Sequence, residues 1–215
     1  MPRLLSLQLT LLILLLNFVL PVCGDDLLQT ANNLLLYQRN TGGWPKNYDR
    51  DAKLSEAERT QLKLDKVQTD STIDNGATHR EIRILAKAYH RLGNQSFRDA
   101  AVAGVKYLLE AQYDNGGWPQ HYPQPSSYHQ HITYNDNAMI GVMNLFHDIV
   151  QGSGDLEFVS GDIRRQCERA LQRGLQCILK TQIQVDGRLT AWCAQHDATT
   201  LAPVFRPAHT IKQQY

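Results

Sequence analysis

A short motif that occurs twice constrains the fold of this chain more than any other feature. It reads Gly42-Gly43-Trp44-Pro45 in the first copy and Gly116-Gly117-Trp118-Pro119 in the second, and each copy follows a helix-like segment and a glutamine, Gln38 or Gln112. A third segment of the same kind leads to Gln182 and a glycine turn. Repeated units stack on their neighbours, because one unit alone cannot bury its apolar face. The repeat therefore predicts stacked hairpins.

Apolar residues at helical spacing predict five helices, and no segment indicates a strand. The helices are expected near residues 27–35, 77–92, 96–109, 137–150 and 163–178. Ser55 and Glu58 match a capping box, which predicts a further short surface helix. Together these patterns predict an all-α fold whose hairpins stack into a ring or a solenoid.

Alternating helix directions would place the functional candidates on one face. The carboxyl ends of the repeated helices, with the turns at Trp44 and Trp118, would then lie beside the amino ends of the helices that follow Asp74 and Asp136. The convergence of these four residues is a geometric prediction of the repeat.

The overall composition favours one globular domain without a strong electric field. The chain has 215 residues, of which 42% are hydrophobic and 20% charged, and its formal net charge is +1. A nearly neutral chain lacks the strong positive field that attracts nucleic acid or an acidic membrane. We therefore expect neither as a partner, and we expect a monomer.

The amino terminus predicts a secretory signal. Arg3 precedes an apolar run over residues 11–20, and small residues lead to Gly24 before an acidic pair. We expect a signal peptide at residues 1–24, a mature domain at residues 25–215 and a secreted protein. A membrane anchor is the alternative interpretation of the same run.

Two acidic clusters are candidate metal sites, with Asp74 beside Asn75 and Asp136 beside Asn135. Carboxylate and amide oxygens are the donors that calcium prefers. The alternative is that these residues only cap helices, because Asp and Asn commonly accept hydrogen bonds from the first backbone N–H groups.

Three further residues allow a functional and a structural interpretation. Trp44 and Trp118 either stack on the apolar face of a sugar or plug the interior of the fold. His196, next to Asp197, either acts on a substrate as an acid or base or is a hydrogen-bonded structural residue.

Five blocks in this order resemble the family 10 polysaccharide lyases, which are pectate lyases, from about residue 28 to about residue 203. The blocks are Asn40–Asn47, Thr72–Thr78, Tyr113–Gln120, Ile132–Met139 and Trp192–Asp197. The resemblance implies an incomplete (α/α) toroid with a central groove. It also implies calcium-assisted β-elimination on polygalacturonate.

The resemblance assigns roles to single residues. Asp74 and Asp136 match the family's carboxylates at the calcium and substrate site. Trp44, Trp118, Asn75, Asn135 and His196 are the residues expected to bind substrate.

The family's catalytic base is an arginine, and Arg206 is the nearest candidate here. An arginine is protonated at ordinary pH, so it can act as a base only where positive charge nearby disfavours its cation and the working pH is high. Family domains continue well beyond the matched blocks, so the resemblance also implies a carboxyl-terminal truncation.

Two other interpretations stay open at the level of sequence. One is a non-catalytic remnant that still binds pectin. The other is a different enzyme with an α/α toroid, such as a hydrolase or a terpene cyclase, although the polar cluster around Asp136 does not suit the apolar cavity of a cyclase.

Overall fold

Six α-helices make up most of the part of the chain that the computed structural model describes, residues 23–204. They are α1 Cys23–Tyr37, α2 Glu56–Leu64, α3 His79–Leu92, α4 Gln95–Glu110, α5 Ala138–Gln151 and α6 Gly161–Thr181. The all-α prediction is confirmed, and each predicted helix is present within a few residues of its expected bounds. None of these helices combines the length and apolar character that a membrane span needs.

Local sequence signals set several helix ends. Ser55 and Glu58 form both hydrogen bonds of a capping box at the start of α2, as predicted. Gly93 ends α3 in the left-handed conformation, with a φ of 69°. Asn94 then begins α4 by accepting a hydrogen bond from the Ser96 backbone N–H. The tight link between Gly93 and Asn94 makes α3 and α4 an antiparallel hairpin.

The helices form two layers of an (α/α) arrangement. The helices that precede the glycine turns, α1, α4 and α6, contact each other in sequence, and α3 contacts α5 in the second layer. The most extensive contacts lie within the hairpins α3–α4 and α5–α6. The apolar faces of both layers meet in one core whose largest fully buried side chains include Trp44, Trp118, Tyr107, Phe97 and Phe146.

Short strands, which the sequence does not predict, join the loops on one face. Strand β1 (Ile132–Thr133) pairs antiparallel with β4 (Gln195–His196), and β2 (Gln184–Val185) forms a hairpin with β3 (Arg188–Leu189). Each strand has only two residues, which is too short for an alternating pattern to appear. The pairing of β1 with β4 brings two of the five sequence blocks together.

The predicted boundary between signal peptide and domain lies at the edge of the described part. Residue 24 falls in the first turn of α1, and residues 1–22 lie outside the described residues. The signal peptide remains a prediction.

Candidate functional site

The indoles of Trp44 and Trp118 are core residues, which contradicts their predicted role as sugar platforms. Both side chains are fully buried. The Trp44 Nε1–H donates to the Leu34 carbonyl at 2.8 Å, and the Trp118 Nε1–H donates to the Leu108 carbonyl at 2.8 Å. Neither ring has an exposed face on which a sugar could stack. Each one instead fastens its turn to the helix before it.

The two turns share a geometry in which a glutamine side chain joins each turn to a neighbouring helix. The Gln38 side-chain amide donates to the carbonyls of Gly42 and Ala100, both at 2.9 Å, so it joins its own turn to α4. Gln112 repeats the pattern, joining its turn to the Ala170 carbonyl of α6 at 2.8 Å. The glycine that Gln38 reaches has a φ of 93°, which favours a residue without a side chain.

Trp192 is the third member of this series, and the sequence interpretation missed it. Its Nε1–H donates at 2.7 Å to the Ile178 carbonyl, which lies one helical turn before Gln182. Leu34 and Leu108 stand at the same position before Gln38 and Gln112. The β2–β3 hairpin lies between Gln182 and Trp192, so the tryptophan is farther from its glutamine in the sequence than in the first two copies. The repeat is therefore not apparent from spacing alone. Its side chain is 42% exposed.

The two acidic clusters lie together, as the repeat predicts. Each forms one 3₁₀ turn, the Asp74 turn (Asp74–Gly76) and the Asp136 turn (Asn135–Asn137), and the two turns pack against each other. Thr78 and Asn137 occupy the N-cap positions of α3 and α5, and neither side chain makes a capping hydrogen bond. Asp74 and Asp136 are therefore not helix caps in this structure.

The two turns hold their carboxylates in different surroundings. Asp74 is 3% exposed; its Oδ2 pairs with the Lys46 ammonium, and its Oδ1 accepts from the Asn75 backbone N–H at 3.0 Å. Asp136 is exposed, and its Oδ2 accepts from the Asn135 side-chain amide at 2.5 Å. One carboxylate is thus neutralised inside the protein, and the other faces the surface.

The two asparagines that the sequence predicts to bind substrate also differ in exposure. Asn75 is exposed, and its side-chain amide donates to the Asn47 side-chain oxygen at 3.1 Å. The Oδ1 atom of Asn135 is buried and has no hydrogen-bond partner among the described residues. An unpaired buried oxygen of this kind is costly unless a ligand or water satisfies it.

His196 is structural, which contradicts its predicted contact with substrate. The ring is fully buried; its Nδ1 bonds the Leu201 carbonyl at 3.0 Å and its Nε2 accepts from the Cys193 backbone N–H at 3.2 Å. Asp197 accepts hydrogen bonds from the backbone of Thr200 and Thr199, which lowers the pKa of its carboxyl group. These contacts fold the loop around His196 and leave no ring nitrogen for substrate.

His121 also lies near the acidic turns, although the sequence interpretation assigned it no role. A bridge between Thr72 and His121 places its backbone beside the strand-like segment that leads to Asp74. Burial, with the nearby imidazole of His129 and the Lys46 ammonium, lowers the pKa of His121 to about 4. The imidazole is therefore neutral at physiological pH.

A calcium ion fits the donor set only in part. The described residues contain no group of three or more His, Cys, Asp or Glu side chains that could hold a metal ion. The face instead offers the exposed Asp136 carboxylate, while the unpaired Asn135 oxygen and, behind Lys46, the Asp74 carboxylate are buried. Oxygen donors suit calcium, which also accepts water and ligand oxygens to complete its shell. Such a site fits an ion that is shared with an acidic ligand. Arg206 lies outside the described residues.

Comparisons with known proteins agree with the sequence blocks. The family model described as pectic acid lyase matches residues 38–211. A solved structure of a family 10 polysaccharide lyase from Cellvibrio cellulosa is 32% identical, with a TM-score of 0.71, and the match covers 84% of this chain and 53% of that chain. A mutant of a family 10 polysaccharide lyase from the same organism, solved in complex with trigalacturonic acid, matches with a TM-score of 0.73 and the same identity and coverage. This chain thus spans about half the length of those structures. No curated protein matches.

Proposed function

Because the chain belongs to the pectic acid lyase family, we propose that it binds polygalacturonate and cleaves it by β-elimination. The observation that carries the proposal is the packing of the Asp74 turn against the Asp136 turn, which gathers two carboxylates and two amides on one face. A relative that is 32% identical was solved with a short galacturonate chain, which supports the same substrate class here.

The proposed substrate is an acidic sugar, and the face that would bind it is also acidic. A cation is therefore needed between the substrate carboxylate and the protein carboxylates. We propose that calcium is held there by Asp136 and Asn135, with Asp74 as a further ligand. When bound, the ion would withdraw charge from the uronate carboxylate and acidify the neighbouring C5–H bond. Support comes from the donor chemistry of this face and from the exposed position of Asp136.

The chemical step needs a base that takes the C5 proton. The electron pair of that bond then forms the C4–C5 double bond, and the C4–O bond breaks to release the leaving sugar. We propose Arg206 as the base, following the family resemblance. We also keep secretion and a monomeric state as proposals, since both follow from the sequence alone.

The reaction has a direct optical test. The double bond formed in β-elimination is conjugated with the carboxylate, so its product absorbs in the ultraviolet. We expect absorbance to rise when residues 25–215 are mixed with polygalacturonate and calcium at alkaline pH, and we expect a chelator to stop the rise. Binding of polygalacturonate without any rise would favour the non-catalytic pectin-binding alternative.

The metal site is tested by one substitution and a matched control. We expect Asp136→Asn to lower calcium affinity at least tenfold in calorimetric titration, because it removes the exposed carboxylate. Asp162→Asn removes another exposed carboxylate, on α6, and should leave the titration unchanged. Equal calcium affinity in both variants would exclude the Asp136 turn as the site.

A further inference from the structure

The buried carboxylate of Asp74 already has a cation, supplied by the protein. The Lys46 ammonium pairs with its Oδ2 atom. The Asp74 side chain is 5% exposed, while the Lys46 side chain is 29% exposed. A carboxylate buried to this degree needs a countercharge, because losing water is costly for an ion. The lysine that provides it keeps a path to solvent along its flexible stem.

The position of Lys46 relative to Asp74 is set by the first glycine turn. Lys46 follows Trp44 by two residues, and the Trp44 indole is anchored in the core. The Trp44 backbone N–H donates to the Thr78 hydroxyl at 3.1 Å, and the Thr72 N–H donates to the Trp44 carbonyl at 3.0 Å. These contacts tie the turn to both ends of the segment that carries Asp74. They place Lys46, two residues after Trp44, within reach of the Asp74 carboxylate.

The second copy of the repeat lacks both charges of this pair. Gln120 follows Trp118 where Lys46 follows Trp44. When the acidic turns are aligned on their preceding threonines, Asn135 takes the place of Asp74. The position of Asp74 is thus charged in the copy that also has the lysine, and the equivalent position is neutral in the copy that lacks it. The aspartate and the lysine therefore occur together or not at all in the two copies.

A metal ion at Asp74 would meet a site already filled by an ammonium group. Both cations need the same carboxylate oxygens, so they compete for them. An acidic sugar offers the displaced ammonium a new carboxylate, and this would remove the cost of displacement.

We propose that Lys46 is a displaceable countercation, which neutralises Asp74 in the unliganded protein and moves to a substrate carboxylate when calcium binds. The proposal rests on the proposed function of the Asp74 and Asp136 turns. It predicts that calcium and an acidic sugar each strengthen the binding of the other. Calcium releases Lys46 from Asp74 so that it can bind the sugar carboxylate, and the sugar carboxylate draws Lys46 away from the oxygens that calcium needs.

The first test is calcium affinity without sugar, measured by calorimetry. We expect Lys46→Gln to bind calcium about fivefold more tightly than the unchanged protein, because the competing ammonium is gone. Lys46→Arg keeps the charge and should restore the weaker affinity. Lys53→Gln removes an exposed lysine and should change nothing. An unchanged calcium affinity in Lys46→Gln overturns the proposal.

The second test separates displacement from simple repulsion between Lys46 and the ion. In an Asp74→Asn background there is no carboxylate to release, so Lys46→Gln should no longer raise calcium affinity. A gain that persists there would mean repulsion at a distance and would overturn the proposal.

The third test measures the coupling itself, using trigalacturonate as the probe. We expect trigalacturonate to raise calcium affinity in the unchanged protein and to raise it about fivefold less in Lys46→Gln. Equal coupling in both proteins overturns the proposal while leaving the proposed function intact. Absence of calcium binding in the unchanged protein overturns both.

Discussion

At the scale of single residues, close packing against the indoles decides which side chains the helices tolerate. A Cβ atom added at Gly104 of α4 would lie 2.8 Å from the Trp44 ring and 2.6 Å from Ile82. Gly174 of α6 stands over Trp118 in the same way, with the ring at 3.0 Å. Each buried indole therefore requires a glycine at the point where the next helix of its layer packs against it.

We expect Gly104→Ala to destabilise the fold by about 1–3 kcal/mol, because an extra methyl group in a filled core forces its neighbours to move. Chemical denaturation measures the change. Gly161→Ala is the control, since its new Cβ would contact only the end of the flexible Arg165 side chain at 3.4 Å. Equal stability losses in the two variants would contradict a steric requirement for glycine at position 104.

The three tryptophans of the chain differ in exposure in a way that fluorescence can detect. Trp44 and Trp118 are fully buried, and Trp192 is 42% exposed. We expect acrylamide to quench part of the tryptophan fluorescence, and we expect Trp192→Phe to remove that part. A quenchable fraction that survives Trp192→Phe would mean that one of the other indoles is accessible.

At the scale of elements, the glutamine after each repeated helix joins neighbouring helices of one layer. The Gln38 side-chain amide donates two hydrogen bonds, one to a carbonyl of its own turn and one to a carbonyl of α4. The contact explains why glutamine, with a long neutral side chain that donates twice, precedes both turns.

We expect Gln38→Ala to lower the free energy of unfolding by about 1–3 kcal/mol, because it leaves the carbonyls of Gly42 and Ala100 without their side-chain donor. Thermal or chemical unfolding measures this. Gln61→Ala on α2 removes an exposed glutamine whose side-chain amide donates to the Asp65 side chain, and it should change stability by less than about 0.5 kcal/mol.

At the scale of the whole molecule, a buried histidine between two helices of the second layer links stability to pH. His79 begins α3, is 7% exposed and faces Gly141 of α5. Burial, with the charges of Arg80 and Arg83, lowers the pKa of His79 from 6.5 to about 4. The unfolded chain therefore binds a proton below pH 6.5 that the folded chain accepts only near pH 4, so acid favours unfolding over this window.

We expect the melting temperature to fall as the pH drops from 7 to 4.5, with His79 contributing on the order of 2 kcal/mol across its window. His79→Asn cannot titrate and should flatten this slope, whatever its effect on stability at neutral pH. An unaltered slope in His79→Asn would contradict the buried neutral imidazole.

The sequence alone determined the helices, the hairpin repeat and the meeting of Asp74 with Asp136 on one face. Helix periodicity, capping residues and repeated turns are local signals, and alternating helix directions convert them into a shared face. The two-residue strands β1 and β4 left no such local signal.

Only the tertiary structure decided which of the marked residues are available to a ligand. Trp44, Trp118 and Trp192 follow the same kind of helix and bond the same position on it, yet two are buried and one is exposed. Asp74 and Asp136 look alike in sequence, yet Lys46 neutralises only the first. Burial and charge pairing depend on which distant segments pack over a residue, and the residue's own neighbours in the chain do not carry that information.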